Sequence, residues 1–105
     1  MMSLDVIKNA LLSVSDKVFH FDTMSPVAPP YIIWAEDGED AFCAQNKHLE
    51  AFTTGTIDLY TKDESDLLIS KIPQALNNTS ACWYKNSVQF EKETGLIHHE
   101  WVFEV

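Results

Sequence analysis

Four histidines, two cysteines and 16 acidic residues are the side chains of this 105-residue chain with the most chemistry to offer. His98 and His99 are adjacent, and neighbouring side chains on a strand point to opposite faces, so the pair cannot grip one metal ion. His20 and His48 lie in unrelated segments, whereas a zinc site needs three or four convergent ligands. One of the adjacent histidines is expected outside and the other at the edge of the core. Cys43 and Cys82 have neither metal-site spacing nor a recognisable nucleophile context, and are read as reduced thiols. The acidic run Glu36-Asp37-Gly38-Glu39-Asp40 lacks the EF-hand spacing of alternating oxygen ligands, glycine and terminal glutamate, and reads as a solvated turn. Glu91 with Glu93, and Glu100 with Glu104, offer paired carboxylates, but acid–base work also needs a cleft that shifts one pKa. The three glycines, at 38, 55 and 95, form no phosphate loop, and no serine stands in a nucleophile elbow. These observations point away from an enzyme, and imply no metal and no cofactor.

Charge narrows the partners. Sixteen acidic residues stand against seven lysines and no arginine, a formal charge of −9. Nucleic-acid binding needs clustered Lys and Arg to displace counterions and read base edges, so direct DNA or RNA binding is not expected. No apolar run approaches the length of a membrane span, and Met1 to Lys8 has no basic segment followed by an unbroken apolar one, so neither a membrane nor a secretory route is expected. With 46% hydrophobic residues the chain can build one buried core, and residues 1–105 are read as a single domain.

The elements that must carry these residues follow from periodicity. Leu4, Ile7, Leu11, Leu12 and Val14 recur at helical steps, predicting an amphipathic helix over 4–15. Val18-Phe19-His20-Phe21 reads as a short strand, and Asp22 to Pro30, with Pro26, Pro29 and Pro30, as an extended connection. Tyr31 to Ala35 is dense in strand formers and apolar on both alternating faces. The stretch from Ala41 to Glu50 fits neither period. From Phe52 to Thr61 the pattern alternates, Ile57 and Leu59 on one face and Thr56, Asp58 and Tyr60 on the other. Asp63 to Asp66 are expected to open a second helix with Leu68, Ile72, Ala75 and Leu76 as its apolar stripe, kinked or cut short by Pro73. Residues 81–91 and 96–105 read as a hairpin turned at Lys92-Glu93-Thr94-Gly95. The sum is an α+β domain: an antiparallel sheet of about four to five strands with two helices packed on one face.

The segment "VFHFDTMSPVAPPYIIWAEDG", ending in a proline-tyrosine strand, followed by "GTIDLYTKDESDLLISKIPQAL", resembles the small tail-terminator or head–tail joining proteins of long-tailed bacteriophages and prophages. The resemblance spans about Leu4 to Leu76, and rests on Pro30-Tyr31-Ile32-Ile33 and on the strand Thr56 to Tyr60 running into an acidic helix start. It implies an α+β minor tail protein of the virion, assembled in the cytoplasm of a bacterial host as a ring, typically hexameric. That ring caps the tail tube and meets the head connector, with no catalysis and no cofactor.

The residues themselves are compatible with such a subunit. Tyr31, Trp34, Trp83, Tyr84 and Trp101 exceed what a small sheet with one buried face requires, and aromatics are enriched where subunits meet. Long loops in a compact domain are usually functional, which directs attention to Asp22–Pro30 and Glu36–Glu50. Trp34, Asp37, Glu39, Asp40 and Phe42 are therefore the expected subunit or tube contacts. The −9 charge leaves open a different reading, a small acidic protein-binding module, such as an inhibitor or nucleic-acid mimic, that occupies a basic partner.

Overall fold

The structure, a computed structural model, describes residues 3–39 and 52–105. In chain order these form α1 (Ser3–Leu12), β1 (Val18–His20), β2 (Tyr31–Glu39), β3 (Thr53–Thr61), α2 (Leu68–Asn77), β4 (Cys82–Glu91) and β5 (Leu96–Glu104). This is the α+β order expected from the sequence. The strands form one sheet in the order β1-β2-β3-β5-β4. Neighbours run antiparallel except β1 and β2, which are parallel, so the sheet is mixed. A parallel pair cannot be closed by a tight hairpin and needs a long crossover. Phe21 to Pro30 supplies it, turning at Phe21 (φ 73°) and Met24 (φ 70°) and passing through a cis Pro29–Pro30 bond.

Strand β3 shows why the layers form. Gly55, Ile57, Leu59 and Thr61 are buried, while Thr54, Thr56, Asp58 and Tyr60 between them are half-buried, the period-two pattern of a strand with one face in the core. Register then assigns the neighbours. Trp34 of β2 and Trp101 of β5 flank Ile57, and Ile32 and His99 flank Leu59. Onto this face both helices lay their stripes, Ile7 and Leu11 from α1 and Leu68, Ile72 and Leu76 from α2, closing one core with Ile32, Trp34, Ile57, Leu59, Trp101 and Phe103.

Three boundaries differ from the periodicity. Helix α1 stops at Leu12 because the Ser13 hydroxyl bonds the Ala10 carbonyl at 2.6 Å, competing for an acceptor the next turn would use. Helix α2 begins at Leu68, since the acidic residues ahead of it build a turn instead. Asp63 Oδ1 accepts from the Ser65 amide at 2.8 Å, and Asp66 accepts from the Leu68 amide at 2.9 Å and the Thr61 hydroxyl at 2.7 Å. Pro73 neither ends nor shortens α2, which runs on to Asn77 because Ala75 and Leu76 beyond it are held in the core. The lost amide deprives only the Ile69 carbonyl of its helical partner.

The acidic run is also not the turn expected of it. Glu36, Asp37, Gly38 and Glu39 continue β2 past a bulge between Glu36 and Gly38, paired with Thr53, Thr54 and Gly55. The Thr54 hydroxyl donates to Asp37 Oδ1 at 2.8 Å, giving the carboxylate a partner on the strand. The ambiguous stretch Ala41–Glu50, including Cys43, lies outside the described residues, and Cys82 is a free, half-buried thiol.

At Gly55 the Ala35 carbonyl and the Phe103 ring occupy the space a Cβ would need. Gly55→Ala is expected to cost about 1–3 kcal/mol, the usual penalty of overpacking, read as a lower urea midpoint at unchanged slope.

Candidate assembly surfaces

The sheet face away from the helices carries an ordered set of side chains. Cross-strand register sets Tyr31, Tyr60, His98 and Gln89 in one row across β2, β3, β5 and β4, and Ile33, Asp58, Glu100 and Ser87 in the next. In the first row the Tyr31 and Tyr60 rings stack at 5.1 Å and the Tyr60 and His98 rings at 4.4 Å. The His98 imidazole reaches diagonally to Asp58, Nε2 to Oδ1 at 2.6 Å, and Asn86 donates to Glu100 Oε1 at 2.9 Å. The result is an aromatic ladder beside a row of carboxylates.

Electrostatics follow this placement. The hydrogen bond to Asp58 raises the pKa of His98, outweighing its desolvation, with Glu100 and Glu91 adding in the same direction. Burial, then the charges of Asp58 and Glu91, push the Tyr60 phenol up to about 12. Tyr31 is raised by burial, Glu91 and Asp22. The neighbour of His98 in sequence has the opposite fate. His99, on the helix face, is 6% exposed and its pKa is lowered by burial, then by Lys85 and His98. Lys85 Nζ sits 3.1 Å from His99 Nδ1 and 4.4 Å from the centre of the Trp101 ring. Among the described residues nothing meets the buried His99 Nε2. The two histidines thus separate as alternation requires, one outside and one at the core edge.

Apolar side chains are exposed chiefly at the two edges of the sheet. At the β1 edge Leu12, Phe21 and Met24 are exposed, Met24 by 88%. Phe21, His20 and Trp34 stack in series at 4.3 and 4.0 Å, and His20 Nε2 meets Glu36 Oε1 at 2.7 Å, which lowers the Glu36 pKa. Beside that stack a cleft of about 450 Å³ opens between α1 and the strands, walled by Leu4, Leu12, Val18 and Trp34 with Asp5 and Lys8 on its rim. At the β4 edge Val88 and Phe90 are exposed by 55% and 64%, over a second hollow of about 450 Å³ that also touches Ile97, His99 and Glu64.

Of the contacts expected from sequence, Trp34 is 5% exposed and forms the floor of the β1-edge cleft. Asp37 is exposed on the opposite face of the sheet, so the two are not brought together. Glu39 closes β2, and Asp40 and Phe42 lie outside the described residues. Sequence reasoning missed Phe21, Met24, Val88 and Phe90. Each occurs in a strand-like or turn-like stretch, and nothing in a period-two pattern says which strand will be an edge. Among the described residues no three His, Cys, Asp or Glu side chains converge as metal ligands, and no helix is long and apolar enough to cross a membrane.

No protein-family model and no curated protein matches the sequence. Eleven chains of solved structures match the fold. One of these, a chain in the virion of a native gene transfer agent particle, aligns over 97% of this chain and 91% of its own, with a TM-score of 0.57 at 12% identity. At that identity the likeness is one of fold.

The adjacent histidines give stability opposite pH dependences. His98 titrates higher folded than unfolded, so its contribution is complete below the unfolded pKa near 6.5 and is lost as pH rises through the folded value. His99 titrates lower folded than unfolded, so its contribution holds above about 6.5 and is lost as pH falls. Urea melts across pH 5–9 are expected to show H98Q flattening the alkaline limb and H99Q the acid limb.

Proposed function

We propose that this chain is a structural subunit of a phage-like virion, and within it the tail-terminator or head–tail joining subunit that forms a ring on the end of the tail tube. The observation that carries this reading is the end-to-end match in fold to a chain of a gene transfer agent virion, with little of either chain left over. The surface supports it: exposed apolar residues stand at both edges of one sheet, so that each copy offers two different contacts, as a subunit in a ring must. Its partners in this reading are further copies of itself, the tail-tube protein and the head-connector proteins. The place of action is the virion, after assembly in the bacterial cytoplasm. It needs no catalysis and no cofactor.

A second reading is favoured by the helix-free face. Stacked Tyr31, Tyr60 and His98 beside Asp58, Glu100 and Glu91 fit an acidic module that holds a cation-bearing protein, because aromatic faces and carboxylates both attract Lys and Arg. The two readings part on salt. Native mass measured over a wide concentration range is expected to show a discrete species near six subunits that survives moderate salt. A chain that stays monomeric yet binds an oligolysine peptide, tightly at low salt and weakly at about 0.5 M where the screening length falls to a few ångströms, would decide for the acidic module.

A further inference from the structure

Asp58 of β3 and Glu100 of β5 stand directly opposite each other in the antiparallel register, on the sheet face away from the helices. Side chains so placed lie about 5 Å apart at Cβ, and two like charges there weaken the pairing. Neither carboxylate is fully committed. One oxygen of Asp58 meets His98 Nε2 at 2.6 Å, and one of Glu100 accepts from Asn86 at 2.9 Å. Among the described residues the second oxygens have between them a single long bond, 3.3 Å from the Thr56 hydroxyl to Asp58 Oδ2. The stacked rings of Tyr31, Tyr60 and His98 run alongside this row, and the Asp58 side chain is 15% exposed, so water screens its charge less than on an open surface.

What offsets these two negative charges decides the chemistry of the face. Among the described residues one cationic group comes within ion-pair distance of the two, His98, and it is positive only when protonated. The rows across the sheet, Tyr31-Tyr60-His98-Gln89, Ile33-Asp58-Glu100-Ser87 and Ala35-Thr56-Val102-Tyr84, hold no lysine. Facing His98 are Asp58 and Tyr60 from β3, Tyr31 beyond them on β2, Glu100 on its own strand, and from β4 the uncharged Gln89 with Glu91 near the strand's end; His99 turns to the helix side. The Tyr60 phenol, pushed up to about 12, stays neutral, and the charged groups of this set are all acidic. They favour the proton on His98, and once it leaves, the two carboxylates lose their internal counter-charge. A guanidinium is the cation whose shape suits them: its donors lie in one plane and can serve Asp58 Oδ2 and Glu100 Oε2 together, whereas an ammonium acts as a point charge. The chain has no arginine of its own, so neither this copy nor another supplies that group.

We propose that Asp58 and Glu100 hold an arginine side chain from an extended segment of a basic partner protein, and that protonation of His98 releases it. Imidazolium and guanidinium compete for the same two carboxylates, so the seat is open when His98 is neutral and closed when it is charged. The inference rests on the acidic-module reading above, and names that module's partner and its control.

The test uses the full chain and a capped Gly-Arg-Gly-Arg-Gly peptide at low ionic strength. Calorimetry is expected to show affinity rising at least about fivefold from about pH 5.5 to about pH 8.5, the lower end of couplings between linked sites. By reciprocity the peptide must lower the pKa of His98, read from its imidazole resonances. His98→Gln is expected to remove the pH step. Glu100→Gln and Asp58→Asn, each taking away half of the fork's acceptors, are expected to weaken binding at high pH about fivefold or more. Asp5→Asn removes the same charge on the helix side, beside the β1-edge cleft, and is expected to change it about twofold at most. Equal losses from Asp5→Asn and Glu100→Gln, with the His98 titration unmoved, overturn this seat and leave the acidic module standing, since the peptide then answers to net charge alone. A lysine counterpart that binds as tightly and moves His98 as far overturns the arginine assignment. Oligolysine bound without the arginine peptide overturns the seat, and failure of both peptides to bind overturns seat and acidic module together.

Discussion

The two-residue period of β3 is the constraint on which the rest of the molecule depends. This strand has neighbours on both sides, so each of its side chains is fixed to a face and carries the cross-strand residues with it. Ile57 and Leu59 turned toward the helices bring Trp34, Ile32, Trp101 and His99 to the same side. Asp58 and Tyr60 turned away bring Tyr31, His98 and Glu100 to the other. A slip of one residue would exchange the two sets, burying the Asp58 carboxylate and exposing the isoleucine. Gly55 locks the register from the core side, since only a residue without a Cβ fits between the Ala35 carbonyl and the Phe103 ring.

That constraint also explains how much was legible in the sequence. Alternation in Phe52–Thr61 is a local property, and it correctly separated the buried face of β3 from its half-buried one; alternation likewise put the adjacent His98 and His99 on opposite faces. The stripe Leu68, Ile72, Ala75, Leu76 was equally local, and all four are buried. What could not be read were facts about neighbours. That β1 runs parallel to β2, that Asp58 meets His98 across 40 residues, and that β4 is an edge all depend on strand order, which no window of a single sequence contains. The acidic run failed for the same reason. Glu36–Glu39 has the composition of a turn, but β3 extends to Thr53 and offers it a pairing partner, and tertiary pairing overrides weak local preference.

Charge sets the terms on which such a surface can work. Copies carrying −9 each repel one another, so electrostatics opposes self-assembly and an apolar seam must overcome that repulsion. Screening then acts in opposite directions on the two surfaces. Added salt weakens repulsion between copies and so would favour any apolar contact between them, whereas it weakens any attraction between the carboxylate-flanked ladder and a basic partner. The fold keeps these surfaces apart, with Phe21, Met24, Val88 and Phe90 exposed at the sheet edges and the Tyr31-Tyr60-His98 ladder on the broad face between them. A subunit built this way can meet its own copies edge to edge and still leave its negative face turned toward a different, positively charged protein. If the chain is the ring subunit proposed above, burial would join like copies and charge would join unlike partners, without either contact competing for the other's residues.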